Sequence, residues 1–284
     1  MSIESVYSNT ARFDAPVALD DEALFRIAPS IFATEAHDSR SDKFRPIPTI
    51  DVVNALRKEG FVPVGAKQCV VRDNSKKAFS KHLLRFRKID GKDYQVGDNV
   101  VECLLKNAND GSAAYELLAG LFRIRCKNSL VAQTDTIDTI KVRHSGDALG
   151  KVIEGTYRVL GEAENVLTAP QDWGRLMLPE PAQHALAEAA QVLRFGEDKV
   201  APVAAPKLLR PRRLSDNGTD LWTMFNVVQE NCIKGGLHGA VVDANNRLRR
   251  TTTRQVNGID QDIRLNKALW LVGEQLAATL KVAA

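Results

Sequence analysis

The spacing of apolar residues along this chain changes period twice. In residues 1–45 it is weak and mixed. Asp20-Asp21-Glu22 opens a candidate short helix within what reads as an N-terminal arm. Ile50, Val53, Ala55 and Leu56 then follow Thr49 and stop at Gly60, which predicts a short helix with a threonine cap and a glycine terminator. From Phe61 the period becomes two. FVPVGAKQCVVR, KHLLRFRK and NVVECLLKN read as three antiparallel strands, joined through DNSKKAFS and IDGKDYQVGD. Asn109-Asp110-Gly111 is a turn. SAAYELLAGLFRIRC begins as small, helix-favouring residues and is open to a strand at its end. SLVAQTDTIDTIKVRH, with β-branched residues at alternate positions, reads as extended.

Behind Gly146 the period is helical. Ala148 to about Val166 is one candidate helix, and Pro181 to Phe195 a second, with Gly196 at its end. PVAAPKLLRPRR is too rich in proline for regular helix. Thr219 precedes DLWTMFNVVQENCIK, which Gly235-Gly236 halts, and a last helix is expected from about Asp260 to Lys281. The predicted fold class is α+β. An antiparallel β-β-β-α core occupies 46–145, behind the arm of 1–45, and a mostly helical region with a basic Pro/Arg-rich connection occupies 146–284.

Composition narrows the class without naming a task. The chain has 284 residues, 44% hydrophobic and 26% charged, enough for one large core or two smaller ones. No apolar run approaches the roughly 20 residues of a membrane helix. The first residues, MSIESVYSNTARFDAP, lack the basic and apolar parts of a secretory signal. Four cysteines with no CxxC pair suit reduced thiols, so a cytoplasmic setting is expected. The formal net charge is +4, unevenly spread. Eight Lys or Arg lie between Lys67 and Lys88 against one acid, Asp73, and nine lie between Lys207 and Arg254. Segregated cations are what a polyanionic partner would use, although solvated strand and loop faces produce the same pattern.

Motifs for bond chemistry are missing. There is no GxxxxGK[ST] or GxGxxG loop, and Gly235-Gly236 follows a helix instead of opening one. His37, His82, His144, His184 and His238 are isolated in the sequence. Cys126 with His82 or His144, or Ser145 with His144, lacks any recognisable nucleophile context. No catalytic residue, metal or cofactor is therefore expected, and the chain reads as a non-enzyme.

Cations are the positive signal. Arg72, Lys76, Lys77, Lys81, Arg85 and Arg87 fall on two adjacent predicted strands and their connection. Lys81, Leu83, Arg85 and Arg87 share one strand face. Alternate residues there are about 6.6–6.8 Å apart, close to the spacing of phosphates along a strand. Phe79 and Phe86 beside them are candidates for stacking on bases. A second set is arginine-rich: Arg210, Arg212 and Arg213 on the proline-restricted connection, and Arg247, Arg249, Arg250 and Arg254 on a hairpin or loop. Arginine suits bidentate phosphate contacts. It equally suits clamping acids such as Asp216, Asp220 or Glu230 between helices. Trp222, Phe225 and Trp270 sit at apolar helix positions and read as core. The polar run Asn226, Gln229, Glu230, Asn231 reads as hydrogen-bonding across a subunit or helix interface, or as an exposed helix face.

SKHLLRFRK, LLKNANDGSAAYELLAGLFRIRCKNSLV, IKVRHSG, RPRRLSDNGTDLWTMFNVVQENCIKGGL, RRTTTRQVNGID and LNKALWLVGE together resemble the phage/plasmid-like family of unknown function found on mobile elements. The resemblance runs from about Lys67 to Glu274. It implies a mobile-element origin, the cytoplasm of a bacterial host cell as the working compartment, and no particular activity. A second resemblance, in element order alone, is to phage and eukaryotic single-strand annealing proteins of the RecT and Redβ group. It implies a basic groove beside the sheet, to which Arg123 and Arg125 would contribute with Lys81, Arg85 and Arg87.

The functional expectation is a DNA-binding protein. It would hold single-stranded DNA and anneal it in DNA recombination as a homo-oligomer, ring or filament, with no cofactor and no membrane. The alternative is an interaction protein that contacts a host or phage protein to block a defence or regulate replication.

Overall fold

A computed structural model describes residues 18–41, 44, 46–89, 99–123, 140–142, 148–163, 168–197, 200–242 and 245–283. They fall into two compact units, one drawn from Met1–Arg125 and Asp135–Glu164, the other chiefly from Asn165–Ala284. The α+β class holds: an antiparallel sheet in the front half and helices in the back half.

In the first unit, β1 (Phe61–Gln68), β2 (His82–Lys88), β3 (Asn99–Asn107), β4 (Tyr115–Arg123) and β5 (Ile140–Val142) form a meander in sequence order. β3 spans the predicted residues, whereas β1 ends at Gln68, short of Arg72. The stretch expected to begin helical is strand from Tyr115 onward. Leu117, Leu118 and Ala119 pair with Leu105, Leu104 and Cys103, and this ladder overrides the helix preference of the Leu-Leu-Ala segment. A bulge between Pro63 and Gly65 shifts the β1 register, and Gly65 admits the Arg85 side chain, which would lie 3.2 Å from any Cβ. α1 (Asp21–Ile27) is capped by the Asp20 carboxylate, which accepts from the Ala23 N–H at 2.8 Å. α2 (Thr49–Lys58) starts behind Pro48. Thr49 is its first residue and not its cap, because its hydroxyl is used elsewhere. α2 and α3 (Ala148–Ala163) pack on one face of the sheet, against Phe61, Leu84, Phe86, Cys103, Leu105 and Leu117. In α3 Gly155 lets the helix approach Leu117, where a Cβ would sit 2.7 Å from the leucine. α3 therefore belongs with the sheet and not with the helical region drawn from residue 146.

The second unit contains α4 (Ala169–Trp173), α5 (Glu180–Phe195), α6 (Leu221–Lys234) and α7 (Ile259–Ala283). Between α6 and α7 lies a two-stranded ribbon, β6 (His238–Val242) with β7 (Leu248–Thr252). Asp220, not Thr219, caps α6, accepting from the Thr223 N–H at 2.9 Å. Gly196 and Gly235, both with positive φ, end α5 and α6. The core is aromatic: Trp173 stacks on Trp270 with ring centroids 4.7 Å apart and meets Phe225 edge-on at 5.3 Å. The Trp270 indole N–H, fully enclosed, finds no hydrogen-bond partner among the described residues. No described helix is long and apolar enough to cross a membrane.

Candidate nucleic-acid interface

On the sheet face opposite α2 and α3, the strand-2 cations are already engaged. Pairing of β2 with β3 brings Glu102 between Arg85 and Arg87. The Arg85 Nε donates to Glu102 Oε2 at 2.6 Å and the Arg87 Nε to Oε1 at 3.2 Å. Glu102 is 0% exposed, and the two arginine side chains are 18% and 7% exposed. One buried carboxylate thus holds two guanidiniums. Lys106 and Glu116 form a further pair at 2.7 Å on the same face. The expectation of an exposed basic strand fails here, because a partner on the neighbouring strand converts two cations into an internal ion-pair cluster. Phe86 lies in the core against the helices, and Phe79 packs edge-on against His37 at 5.5 Å, so neither is a free stacking platform.

Other cations of the first unit stay accessible. Arg72 and Lys77 are exposed, and Lys76 and Lys81 half-buried, around a short 3-10 turn, Asn74–Phe79. Asp73 caps that turn, with its carboxylate accepting from the Ser75 hydroxyl at 2.7 Å and the Ser75 N–H at 3.0 Å. Those bonds, with Lys76 nearby, hold its carboxyl below the usual range. Arg123 ends β4, but its side chain and all of Arg125 lie outside the described residues, as do Cys126, His144 and Ser145.

In the second unit the arginine-rich connection divides by role. Arg213 donates to Asp216 Oδ2 at 2.7 Å and to Glu230, and Lys234 also reaches Glu230. The Arg212 Nε donates to Asn231 Oδ1 at 2.7 Å, and its Nη2 donates to the Gly235 carbonyl. Asn231 in turn donates to the Leu208 and Arg210 carbonyls, each at 2.9 Å. Gln229 donates to Asn266 Oδ1 at 2.8 Å. The polar run on α6 is therefore buried, not an exposed face: it hydrogen-bonds across helix contacts and ties the connection and α7 to α6. Arg212 and Arg213 clamp acids and carbonyls, the structural alternative for these arginines. Arg210 and Arg254 have exposed side chains, and their carbonyls are used inside the fold.

The ribbon differs. Arg247, Arg249 and Arg250 are exposed, and among the described residues neither Arg249 nor Arg250 has an ion-pair partner. Arg249 pairs with Val241 and Arg250 with Ala240, so successive arginines face opposite sides. The base is anchored: the Ala240 N–H donates to the Pro202 carbonyl at 2.8 Å, and Lys207 Nζ to the His238 carbonyl at 2.7 Å. Gly239 is required at that base, because a Cβ would lie 1.8 Å from the Pro202 oxygen. Sequence reasoning placed these arginines on a hairpin or loop but could not rank them above the clamping set.

Nucleophile chemistry finds little support in the described residues. Burial pushes the Cys103 and Cys232 thiols up to about 12, far from thiolate formation. His82 is fully buried among hydroxyls, and burial lowers it to about 4. No described group of three or more His, Cys, Asp or Glu is placed to hold a metal ion.

Against known proteins, residues 36–270 match the model of a domain of unknown function, DUF932. Two Escherichia coli K12 proteins, UPF0380 protein YfjQ and UPF0380 protein YafZ, are each 43% identical over 274 residues, covering 96% of this chain and 96% of theirs. No solved structure matches. None of these comparisons supports the likeness to the RecT and Redβ group.

Proposed function

We propose, for a chain that belongs to the DUF932 family of domains of unknown function, that it is a nucleic-acid-binding protein of a mobile element. Its finer task on this reading is binding and annealing single-stranded DNA during recombination, as a homo-oligomer. The observation that supports this is the ribbon, whose Arg249 and Arg250 are exposed on opposite faces without internal counter-ions. Cations left outside the fold's own ion pairs are the ones available to neutralise phosphates and release counter-ions. The interface moves accordingly, from the sheet arginines held by Glu102 to the ribbon, with Arg72 and Lys77 as a second accessible set. Annealing makes and breaks no covalent bond, so the reading needs no cofactor.

Fluorescence anisotropy with a labelled single strand and its duplex, from about 50 to about 300 mM salt, tests the reading. Affinity should fall linearly with salt on logarithmic axes, and static light scattering should show an oligomer. Replacing Arg249 and Arg250 by Glu should lower affinity about tenfold or more with an unchanged far-UV spectrum. Equal affinity in that variant would remove the ribbon from the interface. No binding at the lowest salt would retire the nucleic-acid reading in favour of a protein partner.

A further inference from the structure

The geometry points to a second task for the same ribbon: its open end is an apolar wedge that parts stacked bases where a duplex meets single strand. This rests on the reading of the ribbon as a nucleic-acid interface. Val242 and Leu248 are partners across the last strand pair before the turn, 54% and 76% exposed. With Ala240 and Arg250 they share one face, and Gly239, packed against Pro202, lies on the other. Leu248 is therefore presented at the end away from the anchored base.

A lone exposed leucine needs no explanation. Here two large aliphatic side chains stand opposite each other beside arginines. Arg247 and Arg249 flank Leu248 in the chain, and Arg250 lies two residues on, on the same face, about 6.8 Å away. An apolar pocket on a protein would have to admit Leu248 together with the Arg250 guanidinium on the same face, with Arg249 on the other. A nucleic acid meets both demands. Its phosphates take the cations, and the gap between base steps takes the aliphatic side chain, as in proteins that kink duplexes by inserting leucine or isoleucine. A two-stranded ribbon is also of a size the major groove admits. Unstacking costs least where a base lacks a partner, so a fork between duplex and single strand is the preferred ligand.

The test uses the full chain and a forked DNA carrying 2-aminopurine at the junction, whose emission rises when the base unstacks. The wild-type chain should raise the emission on binding. The double variant Val242→Ser, Leu248→Ser, altered only at exposed positions and compared at protein concentrations that saturate the anisotropy signal, should lose most of the rise. Binding without any rise in the wild type overturns the wedge and leaves the nucleic-acid interface standing. A rise kept in the double variant overturns the assignment to this pair. Absence of binding by anisotropy overturns the underlying reading, and the wedge with it.

Discussion

At the scale of single residues, His82 shows how a polar core can be complete. The Ser80 carbonyl, 3.2 Å from Nδ1, can only accept, so Nδ1 carries the proton and shares it with the Ser30 oxygen at 2.8 Å. Nε2 is then left to accept from the Thr49 hydroxyl at 2.9 Å, while Thr49 receives from Asn107 at 3.0 Å and Tyr115 at 3.3 Å. This arrangement suits a neutral imidazole, and burial depresses its proton affinity from 6.5 to about 4. Between those values the unfolded chain holds the extra proton. Stability is thus full above pH 6.5 and falls by about 3 kcal/mol as the pH drops toward 4. Urea unfolding at several pH values should show this slope in the wild type and not in His82→Gln. Glu102 carries a different burden. Glu102→Gln should cost about 3–5 kcal/mol, because Arg85 and Arg87 lose their shared counter-ion inside the fold. Replacing all three by Met, Met and Leu should restore much of that and leave nucleic-acid affinity unchanged; a large loss of affinity would return these arginines to the interface. The two arginines were legible in the sequence but their burial was not. Alternation along β2 shows which residues share a face, whereas Glu102 reaches them only through the β2–β3 register.

At the scale of elements, regular periodicity was readable wherever one face is apolar and the other polar. β3 was found to both ends, and α5 and α7 to within a residue or two. β4 was misread at its start because its Leu-Leu-Ala-Gly segment gives neither period clearly, and only its neighbours on the sheet decide the matter. On α6 the asparagine, glutamine and glutamate fit either a helix interface or an exposed face, and Arg212, Arg213 and Asn266, arriving from other elements, decide for the interface. The ribbon's exposure was likewise unreadable, since clamping and free arginines look identical in a sequence. α7 depends on a close approach at Gly273, where a Cβ would lie 2.5 Å from the Trp173 ring. Gly273→Ala should force that ring or the helix aside and cost about 1–3 kcal/mol, measured by thermal unfolding.

At the scale of the whole molecule, the two units hold separate cores. The polar network around His82 belongs to the sheet unit. All three tryptophans of the chain, Trp173, Trp222 and Trp270, belong to the helical one. Indole emission therefore reports the helical unit alone, and far-UV dichroism reports both. Acidification to about pH 5 should lower the dichroism midpoint before the emission midpoint, and Gly273→Ala should do the opposite. Coincident shifts in both would show a single cooperative transition. The enclosed N–H of Trp270 extends this separation to individual atoms. With no acceptor among the described residues, this proton should give an indole resonance upfield of the other two in a proton–nitrogen correlation spectrum. It should also exchange with solvent only when the helical unit opens. That one peak would follow the opening of the unit that carries the arginine ribbon, with no label added to the chain.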